Sequence, residues 1–277
     1  MTRSSLKFLL VGILVGALAS GAFTAGAATT PVKKSAKKCS KAAKKNAKKN
    51  AKKSTKKCKK RKKRRPPAAA PAPPAGEALN GVFKIAAGTF DGATGPRGSY
   101  LRLIMPGGSA DRGPFFSNPS SRGGTYTLLA PGADGGLLTG GYQEPPAKPF
   151  SLTGDAQANR IITPQRFAGI LFSASTSPTD PQTKLAVAKP SIVNSGGTLS
   201  GQVQALSAQW NGQFFNQGSP KPDGSSPGLT TPVRGTYDAA TKNYTLDWSS
   251  AIVGGPFNGF TGVWHLEGTF EARCTTG

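Results

Sequence analysis

The 277-residue sequence predicts an all-β fold, a single antiparallel sandwich or barrel of about ten strands, behind a signal peptide and a lysine-rich arm. Three observations lead there. Apolar residues recur with period two: Tyr244, Leu246 and Trp248 alternate with Thr245, Asp247 and Ser249, and Trp264, Leu266 and Phe270 fall between His265, Glu267, Thr269 and Glu271. Clusters drawn from 36 Gly and 23 Pro cut the chain into short segments, as turns between strands require. Between those clusters no amphipathic run reaches helical length.

Residues 1–27 read as the signal peptide. Arg3 and Lys7 precede the apolar run 8–19, and Ala25-Gly26-Ala27 fits a small-residue cleavage site. The run is short for a spanning helix, which needs about 20 apolar residues. The cations that follow oppose translocation, so the competing arrangement is an uncleaved membrane anchor with the rest of the chain in the cytoplasm.

Residues 28–65 form a polybasic low-complexity arm. Between 33 and 65, 20 of 33 residues are Lys or Arg and none is acidic, so the segment must meet water or a polyanion rather than enter a core. Lys44, Lys45, Lys48, Lys49, Lys52, Lys53, Lys56 and Lys57 recur as doublets every four residues, and Lys59, Lys60, Arg61, Lys62, Lys63, Arg64 and Arg65 close the run. That repeat spreads charge around a helix and leaves no apolar stripe to dock it, so the arm is expected to be disordered or transiently helical. These side chains are the predicted polyanion-binding residues, acting by counterion release. The expected partners are an anionic cell-wall polymer or an anionic membrane surface, with nucleic acid as the runner-up. In composition the arm resembles the lysine-alanine tails of linker histones over residues 33–65, and export opposes a chromatin role. No aromatic residue lies in the arm, so base stacking and interfacial anchoring both lack their usual side chains.

Cysteines stand at 39, 58 and 274. In an oxidising compartment a Cys39–Cys58 bridge would close a loop whose stabilisation is roughly 3 kcal/mol. Cys274 is then left over, either free or joining two chains. No metal site is implied, because the arm contains no His and no C-x-x-C spacing, and no cofactor is implied.

Residues 66–76 are a Pro/Ala linker, extended at about 3 Å per residue, and residues 77–277 are the β domain. Fourteen basic and 12 acidic side chains from residue 66 onward nearly balance, so the net charge of +24 belongs mainly to the arm. The candidate strands are 82–86, 100–105, 125–129, 161–165, 170–176, 185–193, 198–206 and 233–237, followed by those around Tyr244 and Trp264. The last three form a meander with a hairpin turn at 238–243. Two long connections, 106–124 with Phe115 and Phe116, and 216–232, are either binding surfaces or decoration.

The chemistry expected of this domain is sparse. His265 is the single histidine, and its neighbours place it on a polar strand face. Asp247 and Glu267 are a carboxylate pair of the kind a glycosidase requires, since they fall on polar faces of strands that could be neighbours, although 12 acids place two on one face by chance. A carbohydrate-binding module is the alternative function, with Trp210, Asn211 and Gln213 as its glycan-binding residues, unless Trp210 belongs to the core. A glycan-active enzyme ranks below it. The principal expectation is a secreted or cell-envelope-associated, non-enzymatic β protein tethered by its arm.

Overall fold

A computed structural model of the chain describes residues 76–273. The signal peptide, the arm with Cys39 and Cys58, most of the linker and Cys274 lie outside the described residues. The strands are β1 (Glu77–Leu79), β2 (Gly81–Ile85), β3 (Thr89–Asp91), β4 (Gly95–Arg97), β5 (Tyr100–Ser109), β6 (Gly113–Phe115), β7 (Tyr126–Leu128), β8 (Gly136–Leu138), β9 (Gln165–Phe167), β10 (Ile170–Thr176), β11 (Ser191–Ser195), β12 (Thr198–Gln202), β13 (Leu206–Trp210), β14 (Gln213–Asn216), β15 (Thr231–Tyr237), β16 (Asn243–Ala251) and β17 (Thr261–Ala272). No helix occurs among the described residues, and every strand pairing is antiparallel.

An eleven-stranded sheet in the order β1-β11-β12-β15-β16-β17-β2-β8, with β5 also on β17 and with β6 and β7 on β5, curls into a half-barrel. A four-stranded sheet runs β14-β13-β10-β9, and β3-β4 is a separate ribbon. The meander of β15, β16 and β17 follows from the alternation. Trp248 pairs across from Trp264 and Leu246 from Leu266, all four buried on one face, and the two indoles stack with centroids 5.7 Å apart. Fully burying side chains such as Leu246 and Leu199 contributes about 1.5–3 kcal/mol each. In the turn after β15, Asp238 Oδ1 accepts the backbone N–H groups of Ala240 and Thr241, an Asx turn that fixes the hairpin.

The number of strands departs from the expectation, seventeen against about ten. Several strands have only three to five residues, too short for a period to register. Two apolar runs are not strands over most of their length. Ile161 and Ile162 are buried with a single bridge from Ile162 to Pro131, and residues 185–190 add only the bridge of Ala186 to Thr179 before β11 begins. The run 198–206 breaks at Val203, whose carbonyl accepts Leu206 N–H in a turn between β12 and β13. The connection at 106–124 is in part strand, since β5 runs on to Ser109 and β6 returns alongside it.

The half-barrel turns at β17. One edge pairs with β16 from Thr261 to Thr269, whereas the other pairs first with β5 (Thr261–His265) and then with β2 (Gly268–Ala272). At this fork Glu267 is held by three groups: its N–H donates to Ser99 Oγ at 3.0 Å, its carbonyl accepts Ala86 N–H at 2.7 Å, and its carboxylate accepts Gly98 N–H at 2.6 Å. Gly268, at φ 152°, lets β2 come close, because a Cβ there would lie 2.0 Å from the Lys84 carbonyl oxygen. Gly268→Ala is therefore expected to destabilise the domain by roughly 1–3 kcal/mol in urea unfolding, against no change for Gly92→Ala, where a Cβ meets open space.

Candidate functional site

The alternation that buries Trp248, Trp264, Leu101 and Leu103 turns their neighbours onto the opposite, outer face of the half-barrel. Across that face a row in register reads Tyr100, His265, Asp247 and Arg234, from β5 through β17 and β16 to β15. His265 Nδ1 lies 2.6 Å from Asp247 Oδ1, its Nε2 lies 3.4 Å from Glu267 Oε2, and its ring stacks on Tyr100 at 4.9 Å. The structure thus brings together the three side chains that the sequence offered for chemistry.

Burial pulls the His265 imidazole towards the neutral form, but the Asp247 and Glu267 carboxylates outweigh it and hold its pKa above the ordinary value. Burial first, and Asp247 second, raise the Tyr100 hydroxyl. Both imidazole nitrogens face carboxylates and Glu267 is tied to the fork, so the group forms a fixed, charged surface feature.

Next to this row lies a cation that sequence reasoning missed. Arg102 pairs across from Tyr126 on β7, its guanidinium carbon sits 3.2 Å over the Phe115 ring centroid and 4.8 Å over that of Tyr126, and its Nε is buried without a hydrogen-bond partner. Tyr126 meets Tyr100 edge-on at 5.1 Å, and Phe90, exposed on β3, lies 6.0 Å from it. An aromatic band therefore joins Arg102 at one end to Asp247 and Glu267 at the other. The sequence carried one faint sign of it, Tyr100-Leu101-Arg102-Leu103, in which the outward positions are an aromatic and a cation.

The glycan candidates sit elsewhere. Trp210 is half-buried, with its indole N–H donated to the Phe167 carbonyl at 2.8 Å and its ring edge-on to Phe257 at 5.1 Å. Asn211 and Gly212, both at positive φ, make the two-residue turn between β13 and β14, and Gln213 is exposed just after it. Asn-Gly between apolar runs is a strong hairpin signal, which accounts for the turn. Phe116 joins Phe167, Phe257 and Phe260 at the margin of the core.

A second titratable cluster lies inside. Lys221 is buried, with Nζ donating to the Asn216 carbonyl at 3.0 Å and to Ser250 Oγ at 2.7 Å, and burial lowers its pKa to about 8. Fully buried Asp180 accepts hydrogen bonds from Thr183, Ser207 and Asn216. Lys221, Pro222, Leu185 and Val253 help line an adjoining cleft of about 500 Å³. Among the described residues no cluster of His, Cys, Asp and Glu could hold a metal ion. Comparison of the chain with protein-family models, curated proteins and solved structures gives no match.

Two titrations follow from these clusters. Unfolded, Lys221 keeps its proton to about 10.5, whereas the folded form releases it near 8, so the folded state binds fewer protons between those values and its stability rises with pH. Above pH 10 the raised Tyr244 hydroxyl acts in the opposite sense. Urea unfolding should show the wild-type domain gaining up to about 2 kcal/mol from pH 8 to 10 relative to Lys221→Met, which lacks this group. For His265, whose folded pKa is raised, the stabilisation is complete below pH 6.5 and is lost as pH rises through the folded value. Asp247→Asn should therefore lower the imidazole pKa followed by NMR.

Proposed function

We propose that the chain is a secreted, cell-envelope-associated and non-enzymatic binding protein, held to anionic polymers by residues 33–65 while the β domain presents a separate binding face. Charge segregation carries this reading. The arm concentrates 20 cations without an acid, whereas residues 76–273 hold 14 basic and 12 acidic side chains. A domain so balanced contributes little long-range attraction, so capture of a polyanion falls to the arm. The β domain supports a binding role through rigid, ladder-borne side chains on its outer face rather than through an assembled catalytic constellation. Asp247 and Glu267 are both engaged with His265, which favours recognition over glycoside cleavage, where one acid must be free to deliver a proton. Glycan recognition is the second reading, favoured by the aromatic band between Arg102 and the carboxylates.

Counterion release gives the test. With about ten phosphates neutralised, the logarithm of affinity for a phosphate polymer should fall by about nine per decade of salt. Native protein should leave the envelope fraction in a high-salt wash, and a full chain with its fifteen basic residues from Lys44 to Arg65 changed to Gln should not be retained even in low salt. Equal retention of both forms in high salt would overturn the assignment to the arm.

A further inference from the structure

The guanidinium of Arg102 is the most conspicuous unmatched group on the described surface. It makes no hydrogen bond or ion pair with any described residue, and its Nε is the one buried side-chain polar atom there that lacks a partner. Half-burying a cation costs hydration that a counter-ion normally offsets, and here two rings replace the counter-ion. Phe115 and Tyr126 also fix the plane of the fork. A guanidinium that is always charged, held flat and short of acceptors is pre-organised for a planar oxyanion binding through two parallel hydrogen bonds. The carboxylates do not fill this role. Glu267 lies four residues along β17 from Val263, which is level with Arg102, a separation of about 13 Å at strand rise, and the Tyr100–His265 pair stands between them.

We propose that this face binds an acidic oligosaccharide whose single uronic acid docks its carboxylate on Arg102, with the neutral sugars that follow lying along Phe90, Tyr126 and Tyr100 towards Asp247 and Glu267. The inference rests on the reading of the β domain as a binding module and is independent of the arm. Chemistry at both ends selects the ligand. The Arg102 end wants one carboxylate, whereas the other end offers carboxylate acceptors, with the Asp247 side chain 55% exposed and that of Glu267 38%, which need donors such as sugar hydroxyls. A nucleic acid or an acidic peptide would bring further anions onto those carboxylates and be repelled. Phe90, 38% exposed, supplies an open apolar surface on which the C–H face of a sugar ring can rest.

The test is calorimetric titration of the full chain with glucuronosyl-xylobiose, which carries one charge and so engages the arm weakly, beside neutral xylotriose and the acidic peptide tri-aspartate. Binding of the glucuronosyl sugar alone is expected. Arg102→Gln should weaken it tenfold or more, Arg102→Lys should recover less than a third of that loss, and Phe90→Ala, at a ring 38% exposed, should weaken it threefold or more. Changing the arm cations to Gln should leave this binding unaltered, which separates failure here from failure of the arm assignment. Any one of four results overturns the proposal: no binding, equal binding of xylotriose or tri-aspartate, affinity unchanged in both Arg102→Gln and Phe90→Ala, or binding lost when the arm alone is neutralised.

Discussion

The forked pairing of β17 is the constraint on which the rest of the domain depends. A strand of twelve residues cannot hold β5 and β2 on one edge unless its backbone hydrogen bonds pass from one to the other, and at that point a residue risks being left with unpaired groups. Glu267 resolves this by giving N–H, carbonyl and carboxylate to three partners from the β2–β5 connection. The same residue then faces His265. Curvature and the chemistry of the outer face are therefore coupled, because the carboxylate that caps the fork is also half of the pair that charges the imidazole.

Inside, the domain relies on polar groups more than its alternating strands suggest. Gln217 joins the sheets, accepting the Trp248 indole N–H on its backbone carbonyl and the Trp264 indole N–H on its side chain. Gln209, fully buried, bonds Ser173 and Ser175 across the β10–β13 pair. Such networks carry little net energy when complete and cost much when broken, so they select one arrangement of sheets over others. Lys221 is the exception, since its two hydrogen bonds do not offset burial of the charge and its affinity for the proton falls.

What the sequence made legible follows from which residues declare their environment. Tyr244, Leu246, Trp248, Trp264 and Leu266 alternate cleanly because one side of β16 and β17 is dry and the other wet, and there strands, faces and turn could all be read. β13 could not, because Ser207 and Gln209 are as buried as Leu206 and Ala208, and a polar residue in a satisfied interior looks like an exposed one. Ile161 and Ile162 mislead in the other direction, apolar and buried without a ladder. Of the candidate site, Asp247, Glu267 and His265 could be named as residues on polar faces, but their convergence depends on register. Arg102 shows locally only as the outward cation of Tyr100-Leu101-Arg102-Leu103, and its setting depends on Phe115 and Tyr126 returning beside it.

The position of β1 carries a mechanical consequence. It is three residues long, it forms the outermost strand of the large sheet, and it is the first strand after the proline spacer. Were the chain fastened by its arm, load would reach the domain at Glu77 and bear first on the three-residue pairing of β1 with β11. The rim can thus give way like a sacrificial seam, lengthening the tether while the interior behind it stays shut.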